Sequence, residues 1–99
     1  MLPSKRRPTI PGEILQSEFL APMKISQEAF VNHLGGTWTQ PKLSEVIRGK
    51  RRVTEAIALD FADAFGTSAE FWLNLQQACD LWDAMQKHEQ IPKLPDLVA

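Results

Sequence analysis

Apolar residues recur at intervals of three and four along most of this chain, and no alternating apolar–polar run is long enough to compete as a strand. The spacing predicts five helices. The first runs roughly from Pro11 to Ala21, with Pro11 suited to an early helical position and Pro22 ending it; Ile14, Leu15 and Phe19, with Leu20 beside them, form its apolar face. The second opens at Ser26, whose hydroxyl can cap free amides, and stops at Gly35-Gly36; Ala29, Phe30, Val31 and Leu34 are its inward candidates. The third begins near Thr39-Gln40-Pro41 and ends at Arg48, with Gly49 as its left-handed terminator and Leu43, Val46 and Ile47 facing inward. The fourth is capped by Thr54 and buries Ile57, Ala58, Phe61, Ala62 and Phe65 before Gly66 stops it. The fifth is capped by Ser68, carries Glu70 in a first turn where the helix dipole favours an acid, and reaches about Lys87.

The expected fold is therefore all-α. One five-helix domain spans residues 11–88, between a basic arm at 1–10 and a proline-containing tail at 89–99. The tail, IPKLPDLVA, cannot extend the last helix and is either frayed or docked elsewhere.

The second and third helices, with their glycine-containing turn, form the segment with the clearest chemistry: SQEAFVNHLGGTWTQPKLSEVIRGKR, with the motif proper at about 26–49. Two short helices set at an angle can hold the second in a DNA major groove while nearby cations grip phosphates. Gln40, at the start of the reading helix, can bond an adenine edge through both its oxygen and its nitrogen, and Glu45 can accept from a cytosine amino group. Thr37, Thr39, Ser44 and Gln27 can donate to phosphates. Lys42, Arg48, Lys50, Arg51 and Arg52 supply a salt-dependent grip. Cations at a helix C-terminus and hydroxyls at a cap also have purely structural uses, so it is their joint arrangement that carries the reading. Trp38 either packs on the core beside the turn or lies exposed near DNA.

Charge distribution agrees with this. Residues 1–52 carry a net charge of +5 and residues 53–99 carry −6, so a near-neutral chain has a basic half around the candidate reader and an acidic half to face away or meet a basic partner. No apolar run approaches the ~18 residues of a membrane span, and the basic N-terminus lacks the apolar stretch of a secretory signal. Cys79 is alone and forms no intramolecular disulfide, which fits a reducing cytosol. No metal or cofactor site is expected, nor an enzyme: His33 and His88 sit in no ligand-like cluster, Asp80 and Asp83 read as solvated acids on one helix face, and no phosphate-cradling glycine loop occurs.

The fifth helix carries Phe71, Trp72, Leu75, Ala78, Cys79, Trp82 and Met85 in a broad apolar stripe that reads mainly as core, while Leu73 and Leu81 fall outside it. A helix apolar on two sides in so small a domain suggests a homodimer interface built from Trp72, Leu73, Leu81 and Trp82, as a reader of two half-sites would need.

Several segments resemble one family. RRP, PGEIL and EFLAPM at residues 6–23, then ISQEAF, LG, SEVIRGKRRVT and FGTSAEFWLNLQQACDLWD, are similar to the HigA-type antitoxins of bacterial toxin–antitoxin modules, a branch of the phage-repressor-like helix-turn-helix proteins. The run from Phe65 to Asp83 is the most distinctive part. The resemblance implies a five-helix repressor-like domain, a dimer that binds double-stranded operator DNA and represses its own operon, and a HigB/RelE-like mRNA-cleaving toxin as partner. The basic segment with Lys5, Arg6 and Arg7 is a further candidate arm for a partner or for DNA. Two positions depart from the pattern. The turn through Gly36-Thr37-Trp38-Thr39 is about two residues longer than the usual tight connection, and Val31 stands where such motifs favour a small residue. Val31 is expected to wedge the two helices apart, with the longer turn accommodating it. A stand-alone regulator without a toxin, and an interaction module that has lost DNA binding, are the alternatives.

Overall fold

The computed structural model describes residues 6–95, which contain five helices and no strand. Helix α1 covers residues 11–23, α2 is Gln27–Leu34, α3 is Gln40–Ile47, α4 is Glu55–Phe65 and α5 is Ala69–Lys87. All five predicted start signals act as expected, with Pro11 occupying the first position of α1. The hydroxyl oxygens of Ser26, Thr39, Thr54 and Ser68 each accept a hydrogen bond from the backbone N–H three residues on, at 3.0–3.4 Å. Each satisfies one of the free amides that open a helix.

Helix α1 departs from expectation. Pro22 does not end it, and the helix runs on to Met23. Proline has no N–H to donate, and its ring presses on the carbonyl four residues back. The chain meets this with π-helical turns at Leu15–Leu20, where Ala21 N–H bonds to the Gln16 carbonyl, five residues back. The wider ladder relieves the crowding just ahead of the proline. The helix closes at Lys24, which takes the left-handed conformation at φ 57°. Ile25 N–H bonds to Leu20 O at 2.9 Å and Lys24 N–H to Ala21 O at 3.0 Å, a pairing normally built with glycine.

The core gathers one face of every helix. Leu15, Leu20, Phe30, Leu43, Val46, Val53, Ala58, Phe61 and Trp72 are almost fully buried. Aromatic rings knit the elements together: Phe19 lies 4.7 Å from Phe65 and 5.2 Å from Trp72, Phe30 lies 5.2 Å from Phe65, and Phe61 lies 5.1 Å from Trp72. Such pairs add roughly 0.5–1.5 kcal/mol each beyond simple burial. Trp72 also donates its Nε1–H to Thr67 Oγ1 at 2.8 Å, so it sits in the core with its polar atom satisfied. Ala29, expected to face inward, is instead exposed, because Phe30 and Leu34 turn the apolar face of α2 away from it. At the N-terminal end, α1 packs directly on α3. A Cβ at Gly12 would overlap the Val46 carbonyl oxygen, so only glycine permits this approach.

Beyond α5, residues 88–95 are exposed, with Ile91 and Leu94 docked on nothing among the described residues; positions 96–99 lie outside them. No helix among the described residues is long and apolar enough to cross a membrane.

Candidate nucleic-acid interface

Helices α2 and α3 pack against each other, and α3 lies on α1 through Val46 and Ile47. With Leu43 and Val46 buried, the 100° step of the helix turns Gln40, Pro41, Ser44, Glu45 and Arg48 to the opposite face. Among the described residues no other element lies over that face, and Gln40 and Arg48 are exposed while Ser44 and Glu45 are half-exposed.

The long turn is anchored rather than slack. Trp38 N–H bonds to Gly35 O at 3.1 Å, the Trp38 ring stacks on Phe61 at 5.6 Å, and its Nε1–H donates to Asp60 Oδ2 at 2.7 Å. Packing is thus the role of this tryptophan. Val31 is half-buried against the core, and α2 and α3 stay in contact around it.

The predicted site residues separate into three groups. Thr39 caps α3 and Gln40 follows it, its Nε2 donating to Glu28 Oε2 at 3.4 Å, which ties the starts of α2 and α3 together beside Gln27. Lys42 points away from the outward face: its Nζ lies 4.2 Å from the Trp38 ring centre and 3.5 Å from Thr37 Oγ1. The third group follows the helix. Arg48 closes α3, its Nε donating to the Ser44 carbonyl at 3.4 Å, and Gly49 takes φ 76° as the expected terminator. The Lys50 and Arg51 amides both bond to Glu45 O, at 2.8 and 3.2 Å, which folds the cationic segment back over the end of α3.

The partners of the carboxylates on this surface were not legible in the sequence. Glu45, expected to face a base, accepts from Arg51 Nε and a terminal guanidinium nitrogen at 3.0 and 2.8 Å. Arg52 pairs with Asp80 of α5, and Arg7 forms a two-pronged bridge to Asp83 with both contacts at 2.9 Å. Asp80 and Asp83, read as solvated acids, are therefore ion-pair partners. Hydrogen bonding from Arg7 holds the Asp83 carboxyl below the ordinary carboxylate range. For Asp80, burial alone would raise the carboxyl, but hydrogen bonds from Gln76 and Arg52 together outweigh it and hold it low. Among the described residues, Lys42, Arg48 and Lys50 join no ion pair. The described part of the N-terminal arm lies along α5: Cys79 Sγ–H points at the Pro8 and Thr9 carbonyls, 3.4 and 3.6 Å away. Lys5 lies outside the described residues.

The expected dimer face needs correction. Trp72 is 0% exposed and belongs wholly to its own core, and Leu73 also packs inward. The outward apolar stripe is Phe71 (38% exposed), Leu81 (52%) and Met85 (55%), with Trp82 half-buried beside them. Phe71 and Met85 had read as core, because apolar spacing cannot tell which side of a two-sided helix the neighbours cover.

An all-α fold with two packed helices, a turn and an open outer face on the second defines a helix-turn-helix protein. Three comparisons narrow this. The chain is 39% identical over 93 residues to antitoxin HigA-1 of Vibrio cholerae, covering 94% of this chain and 86% of that one. It superposes on Pseudomonas aeruginosa antitoxin HigA, solved with the higBA promoter, with a TM-score of 0.77 and 35% identity over 89% of this chain and all of that one. Antitoxin GraA in complex with its operator gives a TM-score of 0.79 at 35% identity, over 96% of this chain and 99% of that one. No family model matches. The chain belongs to the HigA family of antitoxins, helix-turn-helix regulators rather than enzymes.

Proposed function

We propose that this protein is a DNA-binding antitoxin that, as a homodimer, represses its own operon and neutralises a HigB/RelE-like mRNA-cleaving toxin. The observation that carries the DNA part is the open outer face of α3, with Gln40, Ser44 and Arg48 on it and, just beyond, Lys50, which joins no ion pair among the described residues. Gln40 leads into the groove and reads an adenine edge, while Ser44, Thr37, Thr39 and Gln27 meet phosphate oxygens. Arg48, Lys50 and Arg51 supply the electrostatic grip. Glu45 serves chiefly to orient Arg51, since its carboxylate is already engaged. Operator complexes of the HigA and GraA relatives support this reading. The exposed stripe of Phe71, Leu81, Trp82 and Met85 on α5 supports a dimer, which a palindromic operator requires. Membership of the antitoxin family supports the toxin partner.

A stand-alone regulator is the second reading, favoured by 35% identity over 99 residues to the uncharacterised HTH-type transcriptional regulator YbaQ of Escherichia coli. One experiment separates them. A reporter driven by the chain's own upstream DNA is expected to be repressed by the protein and released by the combined change Arg48→Ala/Lys50→Ala/Arg51→Ala. Co-expression with the adjacent open reading frame is expected to restore growth that this frame alone arrests. Repression without any growth effect supports the stand-alone regulator, and no repression removes the DNA reading.

A further inference from the structure

Gln76 is the one buried polar side chain among the described residues, and its bonds lead away from its own helix. Its Oε1 accepts from Val53 N–H at 2.8 Å, while its Nε2 donates to Asp80 Oδ1 at 2.9 Å. The other Asp80 oxygen accepts from the Arg52 guanidinium. Two residues one turn apart on α5 thus hold two consecutive residues of the segment between α3 and α4, one by its side chain and one by its backbone. Open space lies on either side. A recess of about 420 Å³ and another of about 410 Å³ share Arg52, Val53, Gln76 and Asp80 as their common wall. The Glu45 carbonyl holds the Lys50 and Arg51 amides to α3, and the clasp, with the buried Val53 side chain, holds the next two residues between the two recesses.

The clasped segment directly follows Lys50 and Arg51. We propose that Gln76 and Asp80 are positioning residues of the DNA surface: they set where these two cations stand relative to the reading helix, so that phosphate grip and base reading are in register. This rests on the DNA-binding reading above. Arg52, in consequence, is a tether rather than a phosphate contact.

Two variants test this in the full-length protein, each measured on an operator fragment from the chain's own upstream region and on a scrambled fragment. Asp80→Asn breaks the ion pair with Arg52 and removes a negative charge, so a purely electrostatic role strengthens binding to both fragments alike. The positioning role instead lowers the operator-to-scrambled affinity ratio about tenfold, as expected for loss of a charge-assisted hydrogen bond. Arg52→Ala, at a largely exposed side chain, is expected to produce the same loss, and the double variant to be no worse than either. Amide hydrogen exchange gives a readout independent of DNA: Val53 N–H is expected to be protected in the parent and to exchange faster in both variants. An unchanged affinity ratio, or additive losses, overturns the proposal. A parent protein that binds neither fragment overturns the DNA reading, and the positioning role with it.

Discussion

Gly12 stands where two helices touch backbone to backbone, and the consequence is specific. Any side chain there meets the Val46 carbonyl and the Ile47 backbone, neither of which can yield as a flexible side chain could. Gly12→Ala is expected to destabilise the fold by roughly 1–3 kcal/mol, the usual cost of overpacking, seen as a lowered Tm with unchanged helix content. The same change is expected to tilt α3 and to lower the affinity for the upstream fragment. At Asp80 the sign of the pH effect follows from its depressed carboxyl. The folded state favours the charged form, so the stabilisation is present above the unfolded value of about 4 and is lost as pH falls through the lower folded one. Thermal melts of the parent and Asp80→Asn are expected to differ at pH 7 and converge in strong acid. Cys79 behaves oppositely: burial pushes its thiol up, which keeps it protonated and unreactive at neutral pH.

Helix α5 presents three different sides. One face packs Trp72 and Cys79 into the core, an adjoining edge holds Arg7 and Arg52 through Asp83 and Asp80, and the far side leaves Phe71, Leu81 and Met85 exposed. Leu81→Glu places a charge in that stripe without touching the core, and is expected to shift sedimentation from dimer to monomer and to weaken operator binding. A dimer that persists in this variant moves the interface elsewhere. Element boundaries were largely readable from the chain, because caps and terminators are local signals: Ser26, Thr39, Thr54 and Ser68 need only their own backbone. The extension of α1 past Pro22 was not, since it depends on a widened ladder that no residue announces. Nor were the partners of Glu45, Asp80 and Asp83, which lie six, 28 and 76 residues away in sequence. The open face of α3 was legible from the placing of Leu43, Val46 and Ile47. The fixed turn was less so, because Trp38 reaches Asp60 across 22 residues.

For the whole molecule, the split between a basic first half and an acidic second half takes on a different meaning in three dimensions. Part of the basic surplus is neutralised across the fold, by Arg7 on Asp83 and Arg52 on Asp80, so the proposed phosphate contacts narrow to Arg48, Lys50 and the Glu45-oriented Arg51. A small set of contacts predicts a modest electrostatic share and leaves room for base reading by Gln40. The most direct measurement is a titration of the purified protein against its own upstream DNA and a scrambled fragment over a range of salt. Tighter binding to the upstream fragment is expected at every salt concentration. Log affinity is expected to fall linearly with log salt, with a slope that drops by about one unit for each of Arg48 and Lys50 changed to alanine. Equal affinity for both fragments, or no binding even at low salt, would contradict the DNA reading.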